Sequence, residues 1–227
     1  MGEIAEELVP GLWYWTTRHP EWHPGEFGAE VGAYAVADGD DLILVDPLLP
    51  HDAAEADALL TRLDALADGR QVTVAITIGY HVRSSEALAT RYRHAEIRGP
   101  KQCASRLEDP SRLTVPVLGE AGPAGISVLH VGKPRRAELP LWLPSHRAIV
   151  FGDALVTAAP GELRMWAHDP VDAKVEAFYR DQFAPTLAPL VALGAEHVLT
   201  THGPPIIGNG TAALKSCAAA APWYHRG

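Results

Sequence analysis

The sequence predicts an α+β fold on three observations. Apolar runs of strand length recur in both halves of the chain, runs with helical spacing stand between them, and from Thr114 onward strand patterns follow one another directly, as in an antiparallel sheet. The chain has 227 residues, 47% of them hydrophobic, which is ample material for a core. No low-complexity linker or charge block divides it, so it reads as a single domain over 1–227.

The first segment, GLWYWTT (11–17), is aromatic and β-prone, and a loop follows that holds His19, Trp22 and His23 between Pro20, Pro24 and Gly25. VGAYAVA, the turn DGDD and LILVDP form a hairpin pattern. LILV is apolar on both faces, as a strand buried on both sides must be, and it ends at Asp46-Pro47. Apolar residues at 56, 59, 60, 63, 66 and 67 predict a helix over 52–67, closed by Gly69.

VTVAITI (72–78) is a second buried-type strand that runs into Gly79-Tyr80-His81-Val82-Arg83, and Ser84-Ser85-Glu86 then opens a helix with serine as its expected N-cap. A strand at 95–97 and a helix around KQCASRL complete two βαβ-like units. Beyond them come ISVLHV, AELPLWLP, the turn Ser145-His146-Arg147 and AIVFGDALV. Two helical stretches (171–183 and 185–193), the strand HVLTT, the loop His202-Gly203-Pro204-Pro205 and an Ala-rich helix end the chain. The two halves share a strand-rich then helical order.

Composition narrows the function. A net charge of −9 without a basic run argues against nucleic acid or an anionic membrane as partner. No stretch approaches the ~20 apolar residues that span a bilayer. The acidic start MGEIAEELVPG lacks the basic and apolar regions of a signal peptide, so a soluble cytoplasmic protein is expected. Cys103 and Cys217 form no CxxC pair and predict neither a disulfide framework nor a thiolate zinc site. Eleven histidines direct attention to imidazole chemistry instead.

Four landmarks stand in order: LVDP with Asp46, TIGYHVRSSEAL, the hairpin LWLPSHRAIVFGDAL with Gly152-Asp153, and VLTTHGPP with His202. On these the sequence resembles the metallo-β-lactamase-fold superfamily from about Leu8 to Pro205. The resemblance implies a four-layer αββα sandwich of two mixed sheets flanked by helices, with a site where strand-end loops converge at one edge. It also implies two zinc or iron ions held by His-x-His-x-Asp-His, a further His, a bridging Asp and a last His.

Carried onto this chain, the first four ligand positions fall on Ile78, Tyr80, Val82 and Arg83, and the next falls near Lys133. Ile and Val offer no donor atom and Arg stays protonated. Only Asp153 and His202 persist, as remnants of a metal site, so five of seven positions are lost; Asp46 supports the ligands in the family. A carboxylate without its metal needs a partner, and a guanidinium supplies charge and fork geometry. Arg83, with Lys133, is therefore expected to pair with Asp153.

His81 and His130 are near misses that could join Asp153 and His202 around one zinc, although no cofactor is the stronger expectation. Tyr80, His81, Arg83, Lys133, Trp22 and His23 are candidate ligand contacts, and His81, His202 and Asp153 are candidate catalytic groups. Three functions follow. One is a metal-free protein that binds a small anion or acts as a scaffold. Another is a single-metal hydrolase of an ester, thioester or lactone. The last is a metal-free enzyme using His81 or His202 as acid or base. Ser84 and Ser85 lack the G-x-S-x-G elbow of a nucleophile. Trp13, Trp15 and Trp142 are read as core, and Cys103 as a small buried residue.

Overall fold

The computed structural model describes residues 4–22, 27–93, 95–132 and 137–225. The first sheet runs in sequence order: β1 (Glu6–Val9), β2 (Leu12–Arg18), β3 (Glu30–Asp38), β4 (Asp41–Val45), β5 (Gln71–Ala75), β6 (Glu96–Arg98) and β7 (Leu113–Thr114). It is antiparallel from β1 to β4 and parallel from β4 to β7. Between β4 and β5 lies α1 (Ala53–Ala67), and between β5 and β6 lies α2 (Ser85–Arg91).

The second sheet holds β8 (Ser127–Val128), β9 (Leu141–Leu143), β10 (Ala148–Phe151) and β13 (His197–Thr200), in the order β13-β10-β9-β8. A separate hairpin, β11 (Leu155–Ala159) and β12 (Glu162–Met165), follows β10. The stretch from α3 (Ala173–Phe178) to α4 (Ala188–Ala192) is helical almost throughout, with a π-helical turn at Tyr179–Phe183 and a 3₁₀ turn at Ala184–Leu187 in between. The chain ends with α5 (Gly210–Ala219).

Side-chain alternation builds four layers from these elements. Along β4, Leu42 and Leu44 pack under Leu59 and Leu63 of α1 and Leu88 of α2, whereas Ile43 and Val45 point the other way. Along β10, Ile149 and Phe151 pack under Phe183, Leu190 and Leu214, whereas Ala148 and Val150 turn inward. The inward rows meet, so Tyr34, Ile43, Val45, Leu141, Val150 and Leu199 form a core between the sheets. This is the expected αββα sandwich, and it explains why LILV and AIVF are apolar on both faces. Each buried Leu or Ile contributes roughly 1.5–3 kcal/mol to holding the layers together.

The hairpin over β3 and β4 and the helix over 53–67 stand as expected, and Asp52 caps that helix through the Ala54 and Glu55 amides. Trp13, Trp15 and Cys103 are buried, and Trp142 packs against the outer core. Other expectations are corrected. The strand read over 72–78 stops at Ala75, because Ile76 to Ile78 leave the ladder to reach Arg98 and Glu138. KQCASRL forms only a 3₁₀ turn. Ser84 does not cap α2; its hydroxyl accepts the Leu49 amide at 2.9 Å and ties the 46–49 loop to the helix start.

Among the described residues no helix is long and apolar enough to cross a membrane.

Candidate functional site

Strand register brings the landmarks to one edge. Val45 pairs with Ala75 and Phe151 pairs with Thr200, both in parallel, so Asp46 emerges beside Thr77 while Asp153 and His202 emerge two residues past one rung. The sheets are tied together there, since Tyr34 Oη donates to Thr200 O at 2.7 Å and the Gly32 amide to Thr201 O at 2.6 Å.

Asp46 is the hub. Its Oδ1 accepts the Thr77 amide at 2.8 Å, and its Oδ2 accepts Thr77 Oγ1 at 2.5 Å and faces His81 Nδ1 at 3.0 Å. His81 stands on the 3₁₀ turn Gly79–Val82 and is buried. Its other nitrogen, Nε2, lies 3.2 Å from Asp153 Oδ1, and His202 Nε2 lies 3.5 Å from the same oxygen. A continuous chain Asp46–His81–Asp153–His202 results.

Arg83 sits beside this chain with its Nη1 donating to the Asp46 carbonyl at 3.0 Å. Both residues have left-handed backbone, φ 46° at Asp46 and φ 41° at Arg83. Such conformations cost about 1–3 kcal/mol each outside glycine and persist where surrounding bonds over-determine them. Here the two strained residues hold each other.

Electrostatics follow from these distances. Burial and the Arg83 charge oppose protonation of His81, but Asp46 and Asp153 outweigh them and hold its pKa above the usual imidazole value. Burial likewise opposes ionisation of Asp153, yet His81 and His202 keep its carboxyl well below the ordinary range. Burial pulls the Arg83 guanidinium down, against Asp46 and Asp153. One more buried acid stands behind Asp153. Glu138 accepts the amides of Gly152, Asp153 and Ala154 at 2.7 to 3.0 Å, and burial together with the Asp153 charge pushes its pKa up to about 7.

Two glycines make the convergence possible. A Cβ on Gly152 would lie 2.5 Å from Thr77 Oγ1, and one on Gly203, at φ +81°, would lie 1.9 Å from Thr157 O. The backbone of His202 is fixed by that approach, since its carbonyl accepts the Thr157 amide and the Thr200 hydroxyl, each at 3.0 Å. Its ring lies between Phe27, edge-on at 5.4 Å, and Trp166 at 6.4 Å.

A chamber of about 300 Å³ opens over the chain, and its walls include Trp22, Tyr80, Arg83, Arg106, Trp166 and His202. Arg106 stacks on the half-exposed Tyr80 ring at 4.3 Å. Thus Tyr80, His81, Arg83, Trp22, Asp153 and His202 line one chamber. The expected Arg83–Asp153 pair does not form: Arg83 turns to the Asp46 carbonyl, and the histidines take Asp153. His130 is exposed and lines a different groove with Thr186 and Pro189, so it cannot join the cluster. Lys133 and His23 lie outside the described residues. Sequence reasoning gave Asp46 too little weight and missed Trp166, Arg106 and Glu138. The Asp46-Pro47 strand end was the available signal for the hub; the other three reach the site only through tertiary packing.

No protein-family model matches the chain, and no curated protein matches it by sequence. Solved structures do. DIM-1 metallo-β-lactamase exposed to ceftazidime superposes with a TM-score of 0.63 at 14% identity, over 95% of this chain and 95% of that one. A metallo-β-lactamase from Erythrobacter litoralis with β-mercaptoethanol in its active site gives 0.63 at 15%, over 96% and 97%. The chemotaxis sensor ODP, described as a peroxy diiron species, gives 0.62 at 14%, over 96% and 95%. The chain has the metallo-β-lactamase fold.

The donor chemistry of the cluster does not fit the metal ions that this fold commonly carries. Among the described residues no group of three or more His, Cys, Asp or Glu could hold one. His81 and Asp153 face each other at 3.2 Å instead of presenting free lone pairs, and a buried guanidinium adjoins them.

Proposed function

We propose that this chain is a degenerate member of its fold that holds little or no zinc and binds a small anionic ligand in the chamber over His81. The observation that carries the reading is the placement of His81 between Asp46 and Asp153, at 3.0 and 3.2 Å, with Arg83 bonded to the same Asp46. Imidazolium and guanidinium supply there the positive charge that metal supplies elsewhere in the fold. The chamber above adds Arg106 and His168, and its only acidic members among the described residues are Glu21 and Asp153. A carboxylate or phosphate group finds fork-shaped donors and favourable potential in such a chamber.

Two measurements test this. Metal is quantified in protein purified without added metal, and acetate and inorganic phosphate are titrated by NMR chemical shift. The reading expects well below one equivalent of metal and saturable anion binding, weakened roughly ten-fold by Arg106→Gln, as loss of one charged hydrogen bond predicts. Close to one equivalent of zinc, lost in His81→Ala, would replace the reading with that of a single-metal hydrolase.

A further inference from the structure

The 300 Å³ chamber borders a second cavity of about 790 Å³, and Asp153, Trp166 and His168 line both. The character of the surface changes across that border. On the far side the lining is mostly apolar, with Ile78, Val175, Phe178 and Tyr179 beside the Trp166 ring. Tyr179 is held in place by its hydroxyl, which donates to Trp166 O at 2.7 Å. Among the described residues, and besides the shared Asp153, the charged side chains there are Glu138, Asp169 and Asp172 against Lys174. The near side holds Arg83 and Arg106 with several histidines.

This division assigns an orientation. An anionic head is favoured in the smaller chamber and disfavoured in the larger cavity, where acids outnumber the base among the described residues. An apolar group gains more from leaving water in the larger cavity, whose lining is the more apolar and whose volume lies within the range of small-molecule sites. We propose that the ligand is an amphipathic carboxylate, its head at Arg83 and Arg106 and its acyl or aryl tail passing Trp166 into the 790 Å³ cavity. This rests on the anion-binding reading above and adds the class of the ligand's other half.

The test is a chain-length series on the intact protein by NMR titration with acetate, butyrate, hexanoate and octanoate, and with hexanamide as the neutral counterpart. Affinity is expected to rise about four-fold per methylene, the gain from burying one such group, and hexanoate should bind at least ten-fold more tightly than hexanamide. Val175→Trp, which narrows the cavity, should reduce the length dependence and leave acetate binding unchanged. Val175→Gln makes the same wall polar and serves should the tryptophan variant fail to fold.

Acetate and octanoate binding equally well would overturn the tail cavity while leaving the anion reading intact. Hexanamide binding as tightly as hexanoate, or no binding by any member, would overturn the anion reading and this proposal together. A length dependence unchanged in the folded Val175 variants would place the tail elsewhere and overturn the assignment.

Discussion

Asp46→Asn removes one charge and almost no volume, so its cost measures the electrostatics of the buried chain. Asp46 Oδ2 faces His81 Nδ1 at 3.0 Å, a separation at which opposite unit charges attract by about 5 kcal/mol at an effective dielectric of about 20. Desolvation offsets part of that, but the variant does not return His81 and Arg83 to water. It leaves two buried cations facing Asp153 alone, and breaking a buried pair in this way costs about 3–5 kcal/mol. The amide also turns an N–H toward one of the donors that Asp46 now accepts from Thr77. Urea unfolding followed by tryptophan fluorescence should show a loss of about 3–4 kcal/mol at constant m.

The pH dependence has a definite sign. The folded His81 pKa is raised, so its contribution to stability is full below the unfolded value and is lost as pH rises through the folded one. The gap between wild type and Asp46→Asn is therefore widest at acidic pH. In a His81→Phe background the same substitution should cost about 1–2 kcal/mol less, since contacting charges are not additive. A loss below about 1 kcal/mol, or an equal loss in both backgrounds, would refute the charge-balance argument.

Gly203→Ala places a Cβ 1.9 Å from Thr157 O at a backbone of φ +81°; it should cost at least about 3 kcal/mol by thermal unfolding and weaken anion binding, because the His202 loop must move. Glu138→Gln tests the acid behind Asp153. Its pKa rises from 4.5 to about 7 on folding, so the native state holds the proton more tightly and stability falls as pH rises through that interval, by up to roughly 3 kcal/mol. The glutamine variant, which does not titrate, should lack that part of the slope when unfolding free energies are compared between pH 5 and 8.

The elements whose burial is set by local pattern could be read from the residues. LILV and AIVF are apolar on both faces, as strands between two layers must be, the 53–67 helix has helical apolar spacing, and the landmarks at Asp46, Asp153 and His202 follow strand ends that register then aligns. What pattern could not supply was the direction of long side chains. Arg83 is within reach of both Asp46 and Asp153, and its left-handed backbone, invisible in sequence, aims it at the Asp46 carbonyl. His81 stands one residue from a ligand position that the resemblance implies and reads as a near miss, yet the 3₁₀ turn at Gly79 rotates it between the two acids. Ser84 has the residue type of a cap but not the backbone, with φ −88° and ψ 13°, so its hydroxyl serves the neighbouring loop.

The charge count also bears on why His81 and Arg83 occur together. Without partners, Asp46 and Asp153 would be two buried, uncompensated carboxylates, each carrying a desolvation cost of several kcal/mol. Supplying Arg83 alone would compensate one of them. His81 faces both carboxylates, at 3.0 and 3.2 Å, while Arg83 binds the Asp46 backbone carbonyl at 3.0 Å and acts on the two acids through its charge. His81 and Arg83 therefore form one compensating unit with Asp46 and Asp153.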